Sequence, residues 1–251
     1  MINLLISGAN GRMGKKVKEL SCSFPEIKVV CGVDISENFS DSNYPVYARI
    51  KDVKEDVDVI IDFSSPKSLD GILDFIKGKK TRAVLCSTGY TEEDIKKIDN
   101  ASKNNAIFRS ANMSLGVNVL IELGKSASQK LYGFDIEIIE KHHNQKVDAP
   151  SGTALMLADG IKEVQNEKFF TYGREGIVGK RQQNEIGIHA IRGGNIVGEH
   201  QVIFAGTDET INLTHQATDR GVFANGALNA AIYLSTKETG LYNMSDMLNE
   251  K

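Results

Sequence analysis

The strongest constraint on this chain lies at its start. An apolar run from Ile2 to Ser7 passes into Gly8-Ala9-Asn10-Gly11-Arg12-Met13-Gly14, and a helix-like stretch continues from Gly11 to about Ser21. The run reads as a buried strand. Strand, glycine-rich turn and helix in that order are the context of a dinucleotide-binding turn. Gly8 would allow the tight turn and Gly11 a close backbone approach to a pyrophosphate at the helix N-terminus, where free N–H groups and the dipole attract anions. Gly14 would let the helix pack closely on the strand. The spacing is G-x-x-G-x-x-G rather than G-x-G-x-x-G, with Asn10 at the usual second glycine, and Asn tolerates left-handed backbone better than most residues. A glycine-rich turn with no ligand fits this motif alone equally well. Asp34 separates the two readings: it ends the second strand 20 residues after Gly14, where a carboxylate accepts the ribose hydroxyls of an adenosine.

Further strand-like runs are Ile27–Asp34, Val57–Phe63, Arg82–Thr88 and Ile107–Ala111. They alternate with helical stretches at Leu69–Lys77 and after Thr91, where Asp94 completes an approximate capping box. Such alternation predicts βαβ units and a parallel sheet. The pattern changes after Asn112. A long helix is expected from about Leu115 to Lys130, a strand from Phe134 to His142 and a helix from Pro150-Ser151 to about Val164. Three segments with period-two alternation follow, near Glu185–Arg192, Ile196–Phe204 and Glu209–Ala217, joined by Gly193-Gly194-Asn195 and Gly206-Thr207-Asp208. Short glycine turns between alternating segments predict an antiparallel meander. A helix from Val222 to about Lys237 is expected to pack back on the first domain. The fold class is therefore α/β: an N-terminal Rossmann-type parallel sheet with a second α+β domain on a mixed or antiparallel sheet. Residues 1–113 plus 221–251 would form the dinucleotide-binding domain, and 114–220 the substrate-binding, catalytic and oligomerisation domain.

Composition narrows the class. Net charge is -3, which argues against a nucleic-acid partner held by phosphate neutralisation. Cys22, Cys31 and Cys86 are odd in number and lack C-x-x-C spacing, so a reducing compartment is expected, with no disulfide framework and no metal site. No basic leader precedes the first strand, and no apolar run approaches the roughly 20 residues that span a bilayer. The expectation is a soluble, cytoplasmic protein without a membrane partner.

The densest chemistry is Glu140-Lys141-His142-His143-Asn144-Gln145-Lys146-Val147-Asp148-Ala149-Pro150-Ser151-Gly152-Thr153, which leaves a strand, crosses a loop and enters a helix. On a strand His142 and His143 would face opposite ways, which suits no shared metal. Taken singly, each histidine fits a structural or solvated residue and Lys146 a surface lysine. Together they say more. Ser151 is a good N-cap, and the first turn at Gly152-Thr153 offers free N–H groups to a carboxylate. Lys146 and a histidine stand one short loop away, which places two proton-transfer groups beside an anion cradle.

At this point the chain resembles the 4-hydroxy-tetrahydrodipicolinate reductase (dihydrodipicolinate reductase) family. The similarity is carried by G-A-N-G-R-M-G, by E-K-H-H-N-Q-K-V-D-A-P-S-G-T-A, by R-G-G-N-I-V-G-E-H from Arg192 to His200 and by F-A-N-G-A from Phe223 to Ala227. The resemblance implies an NAD(P)H-dependent reductase of lysine and diaminopimelate biosynthesis acting on a small cyclic dicarboxylate. It implies His142 as proton donor or acceptor and Lys146 as proton donor, with His143, Gly152 and Thr153 holding the substrate. Which of His142 and Lys146 delivers the proton stays open. It implies cofactor contacts at Gly8, Ala9, Asn10, Gly11, Arg12, Met13 and Asp34, at Cys86, Ser87 and Thr88, and at Ser110, Ala111, Asn112 and Met113. The family often carries glycine where this chain has Cys86, so contact there would be through backbone. It further implies a homotetramer assembled through the second-domain sheets.

Rival readings are another two-domain oxidoreductase of amino-acid metabolism, such as an aspartate-semialdehyde or homoserine dehydrogenase, and a non-catalytic dinucleotide sensor. The semialdehyde chemistry needs a nucleophilic cysteine between the domains, whereas Cys86 lies in the cofactor loop. A sensor has no use for the anion site from Lys146 to Thr153. Cofactor choice is read from the residues after Asp34. Ile35, Ser36, Glu37 and Asn38 include no cation to offset repulsion between a 2′-phosphate and the Asp34 carboxylate. Arg12 is the one cation that could reach over from the glycine loop. NADH is therefore expected as the preferred cofactor and NADPH as the weaker one.

Overall fold

A computed structural model of the chain describes residues 1–36 and 43–250. Glu37 and Asn38, which enter the reading of cofactor preference, lie outside the described residues. The chain divides into two compact units, Met1–Leu115 with Arg220–Lys251, and Gly116–Asp219.

The first unit opens with β1 (Ile2–Ser7), α1 (Arg12–Ser21), β2 (Ile27–Val33), β3 (Val46–Tyr47) and β4 (Val59–Asp62). It continues with α2 (Leu69–Ile76), β5 (Arg82–Leu85), α3 (Glu92–Ser102) and β6 (Ala106–Arg109). The second unit holds most of α4 (Leu115–Lys130), then β7 (Asp135–His142), α5 (Gly152–Val164), β8 (Phe169–Tyr172), β9 (Glu185–Arg192), β10 (Gly198–Ala205) and β11 (Thr210–Ala217). The chain then returns to the first unit through α6 (Gly221–Ser235), β12 (Gly240–Tyr242) and α7 (Met244–Asn249).

In the first unit seven parallel strands run in the order β12-β6-β5-β4-β1-β2-β3. Strand order reverses at β1, which pairs with β2 on one side and β4 on the other. In open α/β sheets ligands bind beyond the carboxyl ends of strands at such a reversal, and the glycine loop leaves β1 there. One face of the sheet packs on α1 and α6, through Val17, Ala224, Ala227, Leu228, Ala231 and Leu234. The other packs on α2 and α3, through Leu69, Ile72, Ile76 and Ile98. Helix α3 starts as its sequence requires: the Thr91 hydroxyl accepts the Asp94 N–H, and the Asp94 carboxylate accepts the Thr91 N–H. Strand β5 stops at Leu85 rather than Thr88 because its neighbour β4 already ends at Asp62, leaving Cys86 onward in the loop. Strand β6 stops at Arg109 rather than Ala111.

The second sheet corrects the meander. Its order is β11-β10-β7-β9-β8, and β9 and β10 are not neighbours. Strand β7 lies between them, parallel to β9 and antiparallel to β10, and only β10 and β11 form the expected hairpin. The turn at Gly193-Gly194 therefore closes no hairpin. It crosses the end of β7, where the Gly193 N–H donates to the His142 carbonyl (2.9 Å) and the Asn144 N–H to that of Gly194 (3.2 Å). Register places Arg192 opposite His142 and His200 opposite Glu140. The core of this unit, Ile136, Ile138, Ile186, Ile188, Val202 and Phe204 against Leu157 and Ile161, lies between one sheet face and α5.

Candidate active site

The glycine loop shows what a dinucleotide turn requires. Gly8 has a φ of 81°, in the left-handed region. A Cβ on Gly14 would lie 2.1 Å from the Gly8 carbonyl oxygen and 2.8 Å from the Ala9 Cα, so no other residue fits without moving backbone. Helix α1 begins after Gly11 with no side-chain cap and no acidic residue in its first turn, so nothing local competes with an anion for its N–H groups. Arg12 is exposed at that helix start. Asp34 holds the loop in place: one carboxylate oxygen accepts the Asn10 N–H (2.9 Å) and the other the Ser36 N–H (2.8 Å). Asn10 is not left-handed, since every described residue with positive φ is glycine. Its side chain instead donates to the Ser36 carbonyl at 3.1 Å. Asn at the second-glycine position thus acts as a strap between two loops.

The neighbouring loops rest on Asp62, a fully buried carboxylate that the motif reading missed. It accepts the hydroxyls of Ser87 (2.7 Å) and Ser64 (2.5 Å), and the Asp62 carbonyl accepts the Cys86 N–H (2.9 Å). Burial pushes the Cys86 thiol well above its usual pKa, which removes it as a nucleophile. Thr88 is exposed beside it. The Ser110–Met113 segment is fixed by Ser110 Oγ donating to the Asn112 carbonyl (2.8 Å) and by α6, where a Cβ on Gly226 would lie 1.6 Å from the Met113 carbonyl oxygen.

In the second unit, β7 alternation puts Glu140 and His142 on the core face, and register brings Arg192 and His200 to the same face. Glu140 is fully buried. Its Oε2 lies 2.6 Å from His142 Nδ1 and accepts Arg192 Nη1 at 2.8 Å. Its Oε1 accepts Arg192 Nη2 at 2.7 Å and the Ser151 N–H at 2.9 Å. Arg192 also donates to the Asp148 carbonyl (2.7 Å), which anchors the loop carrying Lys146. Burial alone would raise the Glu140 pKa, but hydrogen bonds from Arg192, His142 and Ser151 hold it below the usual range. The His142 imidazole is lowered, first by burial and then by the nearby Lys146 and Arg192 charges, against the opposing pull of Glu140. His143 lies just past the strand end and is half-buried. Lys146 pairs with Asp148 at 2.9 Å.

Ser151 caps α5, its hydroxyl accepting the Ala154 N–H at 3.2 Å and pairing with His200 Nε2 at 2.9 Å. No acidic residue occupies the first turn, and a Cβ on Gly152 would meet nothing within 4 Å. The space beside Gly152 at the start of α5 is therefore open. The structure brings together His142, Lys146 and the start of α5, and adds Glu140, Arg192 and His200. Glu140 could have been found from alternation, two residues before His142. Arg192 and His200 could not be placed without the strand order.

A glycine loop at the reversal point of a parallel sheet, with an uncapped helix start after it and a buried Glu140–His142–Arg192 network on a separate mixed sheet, defines a two-unit, NAD(P)H-dependent oxidoreductase. Family models described as dihydrodipicolinate reductase, N-terminus, and dihydrodipicolinate reductase, C-terminus, match residues 2–113 and 116–248. The chain belongs to the dihydrodipicolinate reductase family. It is 52% identical over 249 residues to a 4-hydroxy-tetrahydrodipicolinate reductase of Caldanaerobacter subterraneus subsp. tengcongensis, covering 99% of this chain and 98% of the relative. It is 51% identical over 251 residues to that of Clostridium tetani, covering 99% and 98%. A solved structure of dipicolinate-bound dihydrodipicolinate reductase from Paenisporosarcina sp. TG-14 shares the fold, with a TM-score of 0.82 at 24% identity and 97% of each chain covered.

Proposed function

We propose that the chain reduces the cyclic imine dicarboxylate derived from 4-hydroxy-tetrahydrodipicolinate to tetrahydrodipicolinate, a step of lysine and diaminopimelate biosynthesis. The observation that carries this reading is the convergence of His142, Lys146 and the start of α5, with open space beside Gly152, on one end of the second sheet. The Gly152 N–H and Thr153, through its N–H and its hydroxyl, hold substrate carboxylate together with His143. Gly8 to Met13, Asp34, Cys86 to Thr88 and Ser110 to Met113 hold the cofactor, which fits because Gly8 and Gly14 leave backbone where a side chain would stand. When bound, the reduced nicotinamide supplies the hydride. Electron density then moves toward the ring nitrogen and C3, and a positioned acid, Lys146 or His142, delivers the proton. Fixed cations and backbone N–H groups favour the dianion and its developing charge.

NADH is the preferred donor and NADPH the weaker, a reading supported by Asp34 and the lack of a cation in the residues after it. A homotetramer is supported by the family and by the second sheet, whose edge strands are β8 and β11 and whose outer face exposes Ile191 (46%). Sedimentation as a monomer at micromolar concentration would remove the homotetramer. Among the described residues no helix is long and apolar enough to cross a membrane. All three cysteines are free, which supports a cytoplasmic setting. The test of function is loss of NADH absorbance with substrate generated in situ by dihydrodipicolinate synthase. Oxidation should depend on both enzymes, and no rate above the synthase-free control would refute the reading.

A further inference from the structure

Four donors converge on Glu140: Arg192 Nη1 and His142 Nδ1 at Oε2, and Arg192 Nη2 and the Ser151 N–H at Oε1. A carboxylate held by a two-pronged guanidinium and a backbone N–H is ionised and has no hydrogen of its own to offer. Nδ1 of His142 must therefore be the donor in their 2.6 Å contact. In the neutral imidazole the lone pair then sits on Nε2. That atom is left room by a glycine: a Cβ on Gly198 would lie 3.2 Å from it.

We propose that Glu140 and Arg192 are a positioning pair that locks His142 in the Nδ1–H tautomer, so that any proton His142 exchanges with substrate passes through Nε2. The inference deepens the proposed function and rests on it. Nδ1–H stays on Glu140 throughout, while Nε2 takes a proton or, from the imidazolium, gives one. Arg192 is needed because a fully buried Glu140 without its cation would favour the protonated form, and a protonated carboxyl donating to Nδ1 would move the imidazole hydrogen to Nε2. The charged and titratable groups around His142 are Glu140 on its own strand, Arg192 on β9, His200 on β10 with its ring centroid 5.2 Å away, and Lys146 on the loop, paired with Asp148. Helix α5 contributes no acidic residue in its first turn. Glu140 is thus the acceptor that selects the tautomer.

The direct test is ¹⁵N NMR of the full-length chain labelled at histidine, with His142 assigned by the resonances lost in His142→Gln. The expected result near neutral pH is a protonated, pyrrole-like Nδ1 and an unprotonated, pyridine-like Nε2. A protonated Nε2 would overturn the proposal. The second arm is Glu140→Gln, whose amide cannot accept from all four donors. Its kcat should fall about 10²-fold, with NADH affinity changed less than about threefold. The limb of its pH–rate profile due to His142 should move to lower pH, because the charge favouring imidazolium is gone, and Glu140→Asp should recover part of the rate. A purely structural role would lower the rate equally at every pH and leave the limb unmoved. If Glu140→Gln does not fold, the wild-type spectrum alone decides. If the wild type shows no reductase activity, the function fails whatever the tautomer. If it turns over with Nε2 protonated, only this inference fails.

Discussion

Both candidate binding regions have the same outline, a strand running through a loop into the N-terminus of a helix, yet they are held together by opposite means. The first, from β1 to α1, depends on missing side chains. Gly8 supplies a positive φ, Gly14 leaves space for its own loop's carbonyl, and no side chain caps the helix. The second, from β7 to α5, depends on a buried charge. Glu140 gathers an imidazole, a guanidinium and a backbone N–H from three parts of the chain, and Ser151 caps the helix while contacting His200. The difference suits the tasks proposed for them. A pyrophosphate is recognised by backbone that comes close, whereas proton transfer needs groups whose orientation and charge are fixed. The first region should tolerate no added atoms, and the second no change of charge.

The largest expected effect is in the second region. Lys146→Ala should lower kcat about 10²–10⁴-fold, the range for a lost proton-transfer group, and steady-state rates at saturating NADH measure it. A loss under threefold would remove Lys146 from the chemistry.

Next in size is the acid sensitivity of that buried network. Burial, with the neighbouring His142 charge, lowers the His200 pKa from 6.5 to about 4. As pH falls below 6.5 the unfolded chain binds a proton that the folded chain refuses until about pH 4. Stability is therefore full above that window and is lost on acidification through it, by about 3 kcal/mol for this one group. His142 and His215, also lowered, act in the same direction. Urea midpoints measured across the window should fall steeply for the wild type and less for His200→Asn. Equal slopes would contradict the role of His200.

In the first region Gly14→Ala should cost about 1–3 kcal/mol of stability, as overpacking does, and should weaken NADH binding while leaving dicarboxylate binding intact. Thermal melts and fluorescence titration check this, and unchanged NADH affinity would contradict the reading of the loop. The smallest effect is cofactor choice. NADH should be favoured at least tenfold in kcat/KM, about 1.4 kcal/mol, and Ile35→Arg should move the ratio toward NADPH. A native preference for NADPH would overturn the reading of Asp34.

The two regions also differ in how far sequence exposed them. The glycine loop is local, so its spacing, the strand before it and Asp34 ending the second strand were enough to place it. Asn10 was the exception, because its strap to Ser36 joins two loops that no local pattern links. The charge network is non-local: Arg192 is 52 residues from Glu140, and His200 is 49 from Ser151. Their meeting follows from β7 lying between β9 and β10. Period-two alternation marks strands but not their neighbours, and the glycines at 193 and 194 looked like a hairpin turn. In the fold they cross the end of β7 and bring Arg192 beside Glu140. Glu140 itself was legible as a residue on the His142 face, but its task depended on partners that only the pairing supplies.

The most direct test of separate cofactor and anion regions is a paired titration of Thr153→Val and wild type, once with NADH and once with dipicolinate, a planar dicarboxylate probe for the proposed anion region. Replacing the hydroxyl with a methyl at the α5 start should weaken dipicolinate binding about tenfold, or 1.4 kcal/mol, and leave NADH affinity within error of wild type. Equal losses for both ligands, or a loss for NADH alone, would contradict the account.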